Sequence, residues 1–570
     1  MTLAICLSAS TLLTPTPTFA FAPPAAPAGR LVVSAETGGA WGIFATDPTG
    51  NAWTRIAPNL IPARDPALAP DGKTLAFRSK RDGVWEIYTV TANVATRLTR
   101  GMVYNGAPVW SPDGKKIAFE SYARGDLDIW VMNADGSQAI DLTDNEKTHD
   151  YAPAWSPDGK WIAFTSWRTG AQQIYAVAAD CKSACKAINL SANKFNDQKP
   201  VWSPDGKRIA FVSDRDGQRA IYVADFASTL LKNARRITFS GWDDQPAWSP
   251  DGKWIAFVAV RPTRQPVYVV AVDGASTLPR IVENSPTMAA SVAWIPEALI
   301  AGEEANDAAS SPRPALYVEK PDLAPANSGR TYEFRRTPSI RLDSGLSKVN
   351  SRIADSLVAL QARVKSEVGF DFLAIVSDMA RPVDMRCDNT CDTLSWHKSG
   401  RAVDTRLDYN NALEVVREDQ QGETYWRMYL KTAAQDGTQG EPLKDAPWDF
   451  SFRARWVVAP GEGGVRKSMQ YGFYVDFTEL ARQYGWERIS SVEGEDLDWK
   501  TNKLGAEYWH YQRMQGLNWY QAMREVYAEA DLKALVEWDA LARAGYDAYQ
   551  LYLKGVPAPA KAWRWYALTP

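Results

Sequence analysis

The feature that most constrains this chain is a repeat in its first half. Trp110-Ser-Pro-Asp-Gly-Lys-Lys-Ile-Ala-Phe119 recurs with small changes at Trp155–Phe164, Trp202–Phe211 and Trp248–Phe257, and a weaker copy runs from Ala69 to Phe77. Its aspartates are Asp71, Asp113, Asp158, Asp205 and Asp251, a spacing of 42 to 47 residues. Repeats of that period build solenoids or propellers. Pro-Asp-Gly makes a tight turn, because Pro fixes φ and Gly supplies the positive φ. Ile-Ala-Phe then reads as a strand, Asp128–Met132 and Ala220–Val223 as a second, and Leu142-Thr143 and Ile237-Thr238 as the end of a third. About four short strands per repeat make a propeller blade. Residues 31–56 read as a blade lacking its first strand, and residues 292–301 read as a first strand lacking its blade. Together they would close a ring of six. The repeated tryptophans are expected to pack between blades.

This motif resembles the TolB-type propeller repeat of bacterial periplasmic proteins. The resemblance implies an envelope setting and leaves function open, since propellers serve many roles.

The repeat ends near residue 302. Residues 303–330, rich in Ala, Ser and Pro, read as a linker. Beyond them, Leu346–Lys365 carries apolar residues at helical spacing (Val349, Ile353, Leu357, Leu360, Val364) and Phe370–Val376 reads as a buried strand. Leu517–Leu553 is helical again. The expected architecture is therefore multidomain, an all-β six-bladed propeller over 30–302 followed by an α+β domain over 331–516 and a helical extension over 517–570. The clean end of the repeat suggests that residues 331–570 can act without the propeller.

The first 22 residues read as an export signal, with an apolar run Leu3–Leu13 and small residues Thr18 and Ala20 before a cleavage site. No Lys or Arg precedes the run, so the start codon and cleavage site stay open. Leu3-Ala4-Ile5-Cys6 loosely resembles a lipobox, but lies too early for one. Export means a periplasmic or extracellular protein. In such a setting two local disulfides are expected, one between Cys181 and Cys185 and one between Cys387 and Cys391. Metal ligation is the alternative for them, although no His lies beside either pair. A formal net charge of -3 gives no basic surface for nucleic acid.

Two short segments carry candidate chemistry, Ser395-Trp-His397-Lys-Ser-Gly400-Arg-Ala402-Val-Asp404 and Glu507-Tyr-Trp-His510. The whole chain holds 3 histidines, and two of them fall here. Hydrolytic zinc sites use three protein ligands and keep one position open. His397, Asp404 and His510 could supply the three, and Glu507 could take a proton from water. Gly400 permits a turn that lets His397 and Asp404 face one point. Glu507 and His510, three apart, need a bend if their segment is extended. Buried, hydrogen-bonded histidines beside surface acids remain the other reading of the same residues.

Ser-x-His-x-x-Gly-x-Ala-x-Asp followed by Glu-x-x-His resembles the zinc D-alanyl-D-alanine peptidases, which include VanX-type dipeptidases and VanY-type carboxypeptidases. The resemblance spans about 345–515, with an insertion-like stretch over Asn410–Pro460. It implies that His397, Asp404 and His510 bind Zn2+, that Glu507 is the catalytic base, and that Arg381 stabilises substrate charge, with Ser395 as a substrate-side residue. The implied substrates are peptidoglycan peptides, and the bond cut could be that of a carboxypeptidase, dipeptidase or endopeptidase. The propeller would bind an envelope partner or the wall. The alternative is a non-catalytic envelope scaffold that binds through the propeller. A serine peptidase is disfavoured, because the C-terminal half has no Gly-x-Ser-x-Gly elbow.

Overall fold

A computed structural model describes residues 27–296 and 332–557 apart from short stretches, the longest being 382–393, 451–464 and 492–505. The expected signal segment and linker lie outside the described residues. Six four-stranded antiparallel sheets follow the repeat in order. The blade with Ala63–Leu68 as its inner strand is the second. Those starting at Asn105, Asp150, Asp197 and Asp243 are the third to sixth. The first blade takes its inner strand, Met288–Ile295, from the far end of the repeat, where it pairs antiparallel with Arg30–Thr37. Chain ends that share one sheet close the ring, as the half-blades at either end implied.

The repeated motif explains each blade locally. Ser111 donates its hydroxyl to Asp113 at 2.7 Å, and Asp113 accepts the Lys115 amide at 3.1 Å. Gly114 closes the turn at φ +69°, a left-handed value that other residues adopt only at a cost. The tryptophans join one blade to the next. The indole N–H of Trp110 donates to Ala67 O at 3.1 Å, that of Trp202 to Ala154 O at 3.2 Å and that of Trp248 to Val201 O at 3.1 Å. No helix among the described residues is long and apolar enough to cross a membrane.

The two expected disulfides fare differently. Cys181 and Cys185 form theirs, beside the fourth blade. The second expected bridge, Cys387 to Cys391, lies outside the described residues, within 382–393.

The C-terminal half mixes helices with small sheets. Helix α1 runs from Ala354 to Val368. It begins later than its apolar spacing predicts, because Lys348–Asn350 pairs as a strand with Phe334–Arg336. Val349, Ile353, Leu357, Leu360 and Val364 are nonetheless all buried in one core. Phe370–Val376 is mostly not a strand. It forms a 3-10 turn at Phe372–Ala374 and a two-residue strand, Ile375–Val376, parallel to Arg341–Leu342. The segment Asn410–Pro460 supplies the hairpin Leu413–Gln420 and Glu423–Lys431, the centre of a six-stranded sheet.

The same segment fastens the two halves together. Glu441 accepts from Arg78 at 2.9 Å and lies 3.7 Å from Arg64. Lys444 pairs with the fully buried Glu120, and Asp445 pairs with Arg219 at 2.8 Å. Lys444 O accepts from the Trp167 indole at 2.9 Å and from the Tyr151 hydroxyl at 3.2 Å. The stretch Glu441–Asp445 thus touches the second, third, fourth and fifth blades. Ala446 and Phe473 enter a shared apolar cluster with Tyr104, Tyr122, Tyr151 and Trp167. The C-terminal half, expected to act without the propeller, packs against it through this interface. Without the propeller, these charges and apolar faces would be left bare. His149 is buried at the same interface. Its Nδ1 accepts the Leu127 amide at 3.0 Å and its ring meets Tyr471.

Candidate metal centre

The two motifs meet on paired strands. Ala402–Asp404 and His510–Gln512 run antiparallel, with Asp404 directly opposite His510. Opposed residues place their side chains on one face, close enough to touch. His397 reaches the same point from a 3-10 turn, Trp396–Ser399. That turn ends at Gly400, φ +67°, where an added Cβ would come within 2.7 Å of the Asn350 nitrogen. The spacing of the first motif therefore works as expected, by a glycine turn back onto a strand.

His397 Nε2 lies 3.1 Å and His510 Nδ1 2.9 Å from Asp404 Oδ1. One ligand atom from each of these residues falls within 4.8 Å of the others. His397 Nδ1 lies 2.5 Å from Met379 O. A carbonyl can only accept, so Nδ1 carries a proton, and Nε2 is the nitrogen that faces Asp404 and the site. Two imidazoles and a carboxylate on one point form a donor set that suits zinc. The site's electrostatics agree. Burial would raise the Asp404 carboxyl, but the neighbouring His397 and His510 outweigh it and hold it well below the usual carboxylate range. Burial lowers His397, yet Asp404 brings it above the ordinary imidazole value.

Glu507 completes the group. It sits at φ +52°, and its carbonyl accepts the His510 amide at 3.1 Å. This is the bend that a three-residue spacing required. A glutamate in this left-handed region carries backbone strain. Burial raises its carboxyl above the ordinary value, and the charge of Asp404 adds to that, against His510, His397 and Arg381.

Arg381 and Ser395 are present in different roles. The Arg381 amide donates to His397 O at 3.1 Å, and its guanidinium binds Asp378 through Nε at 2.6 Å and Nη2 at 2.5 Å. The Ser395 hydroxyl accepts the His397 amide at 3.3 Å and so caps the turn. Sequence reasoning missed Met379, which acts through its main chain and leaves no mark in the side-chain pattern. It also missed Asp378, although an acid three residues before Arg381 was a readable charge pair. The segment containing both binds Asp404 directly, since the Asp404 amide donates to Asp378 O at 3.0 Å.

Residues 95–196 and 187–301 match the TolB beta propeller domain model. Among solved structures, the chain resembles TolB from Acinetobacter baumannii at 24% identity and TM-score 0.40, over 47% of this chain and 67% of that one. It also resembles a puromycin-hydrolyzing peptidase from Mycobacterium tuberculosis at 15% identity and TM-score 0.33, over 46% and 45% of the two chains. The Kuenenia stuttgartiensis hydrazine synthase overlaps at 15% identity and TM-score 0.36, over 46% and 48%. No curated protein matches the chain. The N-terminal half is a β-propeller domain. More particularly, by its family match, it is a propeller of the TolB type.

Proposed function

We propose that the chain is a zinc-dependent peptidase of the bacterial envelope, trimming peptidoglycan stem peptides as a D-alanyl-D-alanine carboxypeptidase or a close relative. The observation that carries the proposal is the meeting of His397, Asp404 and His510 at one point, with Glu507 on a strained turn beside them. These three would hold the ion. A zinc ion there would polarise a peptide carbonyl and acidify an attacking water.

Glu507, its carboxyl raised by burial, takes the proton from that water and delivers it to the leaving amine. His397 keeps its orientation through Met379 O. Arg381 is held by Asp378 on its Nε side, so it would meet a substrate carboxylate through its Nη1 side. The envelope setting is supported by the TolB-type propeller and by the Cys181–Cys185 disulfide. The blades that face the C-terminal half are already engaged by Glu441–Asp445, so an envelope partner would use another surface of the ring.

Incubation of the full chain with defined muropeptides tests this reading, with zinc, with chelator, and with zinc restored. Release of D-alanine that falls with chelator and returns with zinc is expected. Absence of metal-dependent cleavage on every stem peptide would overturn the assignment.

A further inference from the structure

We propose that Glu525, in the helical extension beyond the peptidase-like region, is a positioning residue for the metal ligands. The inference rests on the zinc reading above and extends it to a residue outside both motifs. A second helix, α2 (Trp519–Val526), packs behind the turn that carries His397, and the Trp519 indole donates to Ser395 O at 2.9 Å. From that helix Glu525 reaches Arg401, which lies between the first motif's glycine and alanine and is fully buried. Arg401 Nε and Nη2 donate to Glu525 Oε2 at 2.8 and 2.7 Å. The Asn350 side chain donates to the same oxygen at 2.9 Å, and the Asn350 amide donates to Gly400 O at 3.0 Å. Arg352 binds the other oxygen at 2.5 Å.

Arg401 then bridges to the second motif. Its Nη1 donates to Arg513 O at 3.0 Å, and the Arg513 amide donates to Arg401 O at 2.8 Å. One carboxylate therefore fixes the glycine turn after His397. Through Arg401 it also fixes the spacing between the strand of Asp404 and the strand of His510. Groups that orient metal ligands from behind typically change metal affinity by roughly ten- to a hundredfold when removed.

The test is the zinc affinity of the full chain, measured by competition with a chromophoric chelator, together with the visible spectrum of the cobalt-substituted protein. Glu525→Ala is expected to weaken zinc by about ten- to a hundredfold and to alter the cobalt bands, while Glu525→Asp recovers part of the affinity. If Glu525→Ala does not fold, the double variant Arg401→Met with Glu525→Leu removes both buried charges and carries the same measurement and the same expectation. A folded variant that binds zinc as tightly as the parent, with an unchanged cobalt spectrum, would overturn the inference alone. A parent that binds no zinc would overturn the metal reading, and this inference with it.

Discussion

Asp404 stands directly across a strand pair from His510, its Oδ1 2.9 Å from His510 Nδ1. The pairing makes the ligand geometry a property of backbone register. A one-residue slip would turn one side chain to the opposite face. His510→Ala should therefore abolish zinc binding while leaving the fold intact, because the strand keeps its main-chain bonds. Elemental analysis of tag-free protein checks this, with about one zinc expected in the parent and none in the variant.

Glu507→Gln separates chemistry from metal. The ligands are untouched, so zinc content should stay that of the parent. Turnover should fall by about 10²- to 10⁴-fold, the usual worth of a general base. Near-parental rates with the glutamine would remove Glu507 from the mechanism.

Glu441 is the acid by which the C-terminal half holds two arginines of the propeller. Glu441→Ala leaves the buried Arg78 with Asp65, 2.7 Å from its Nε, as its remaining acid, and should cost roughly 1–3 kcal/mol of unfolding free energy. Replacing Asp65 by Asn as well should cost more, since Arg78 then keeps neither of its two acids. Denaturant titrations of the single and double variants measure both effects.

The same residue sets an acid limit. Burial would raise the Glu441 carboxyl, but Arg78 and Arg64 bring it down to about 2. Its folded pKa lies below the unfolded value of roughly 4.3. Its contribution is therefore complete above about pH 4.3 and is lost as pH falls toward about 2. The stability gap between parent and Glu441→Gln should close across that window, and a gap that stays constant from neutral pH down through it would contradict the assignment.

Asp128 behaves in the opposite sense. Burial, together with the nearby acids Asp141, Asp126 and Asp150, pushes it up to about 8. Its folded pKa exceeds the unfolded one of roughly 3.9, so ionisation opposes folding increasingly from about pH 4 up to about pH 8. Asp128→Asn should raise the melting temperature at about pH 8 and change it little at about pH 4. Equal melting temperatures of parent and variant at the higher pH would refute the burial argument.

The propeller was legible because its signals are local and repeated. A turn of Ser111, Asp113 and Gly114 specifies itself within a few residues, and the recurring copies average away any accident. The candidate ligands were legible because His397, Gly400 and Asp404 sit in one short run. What escaped is non-local. Lys348–Asn350 left the helix pattern only because a distant strand, Phe334–Arg336, was there to pair with it. Phe370–Val376 looked like a strand by composition, yet its partner Arg341–Leu342 is two residues long. The helical tail seemed an appendage because nothing near Glu525 in sequence announces that its partner is Arg401.

The stretch Glu441–Asp445 lies across four blades of the propeller, and it is covalently part of the chain. A tethered segment competes as though present at roughly millimolar concentration, whatever the protein's own concentration. A free peptide at micromolar level would need roughly a thousandfold greater intrinsic affinity to take the same place. An outsider that needed this face of the propeller would meet it already covered by Glu441–Asp445 of the same chain.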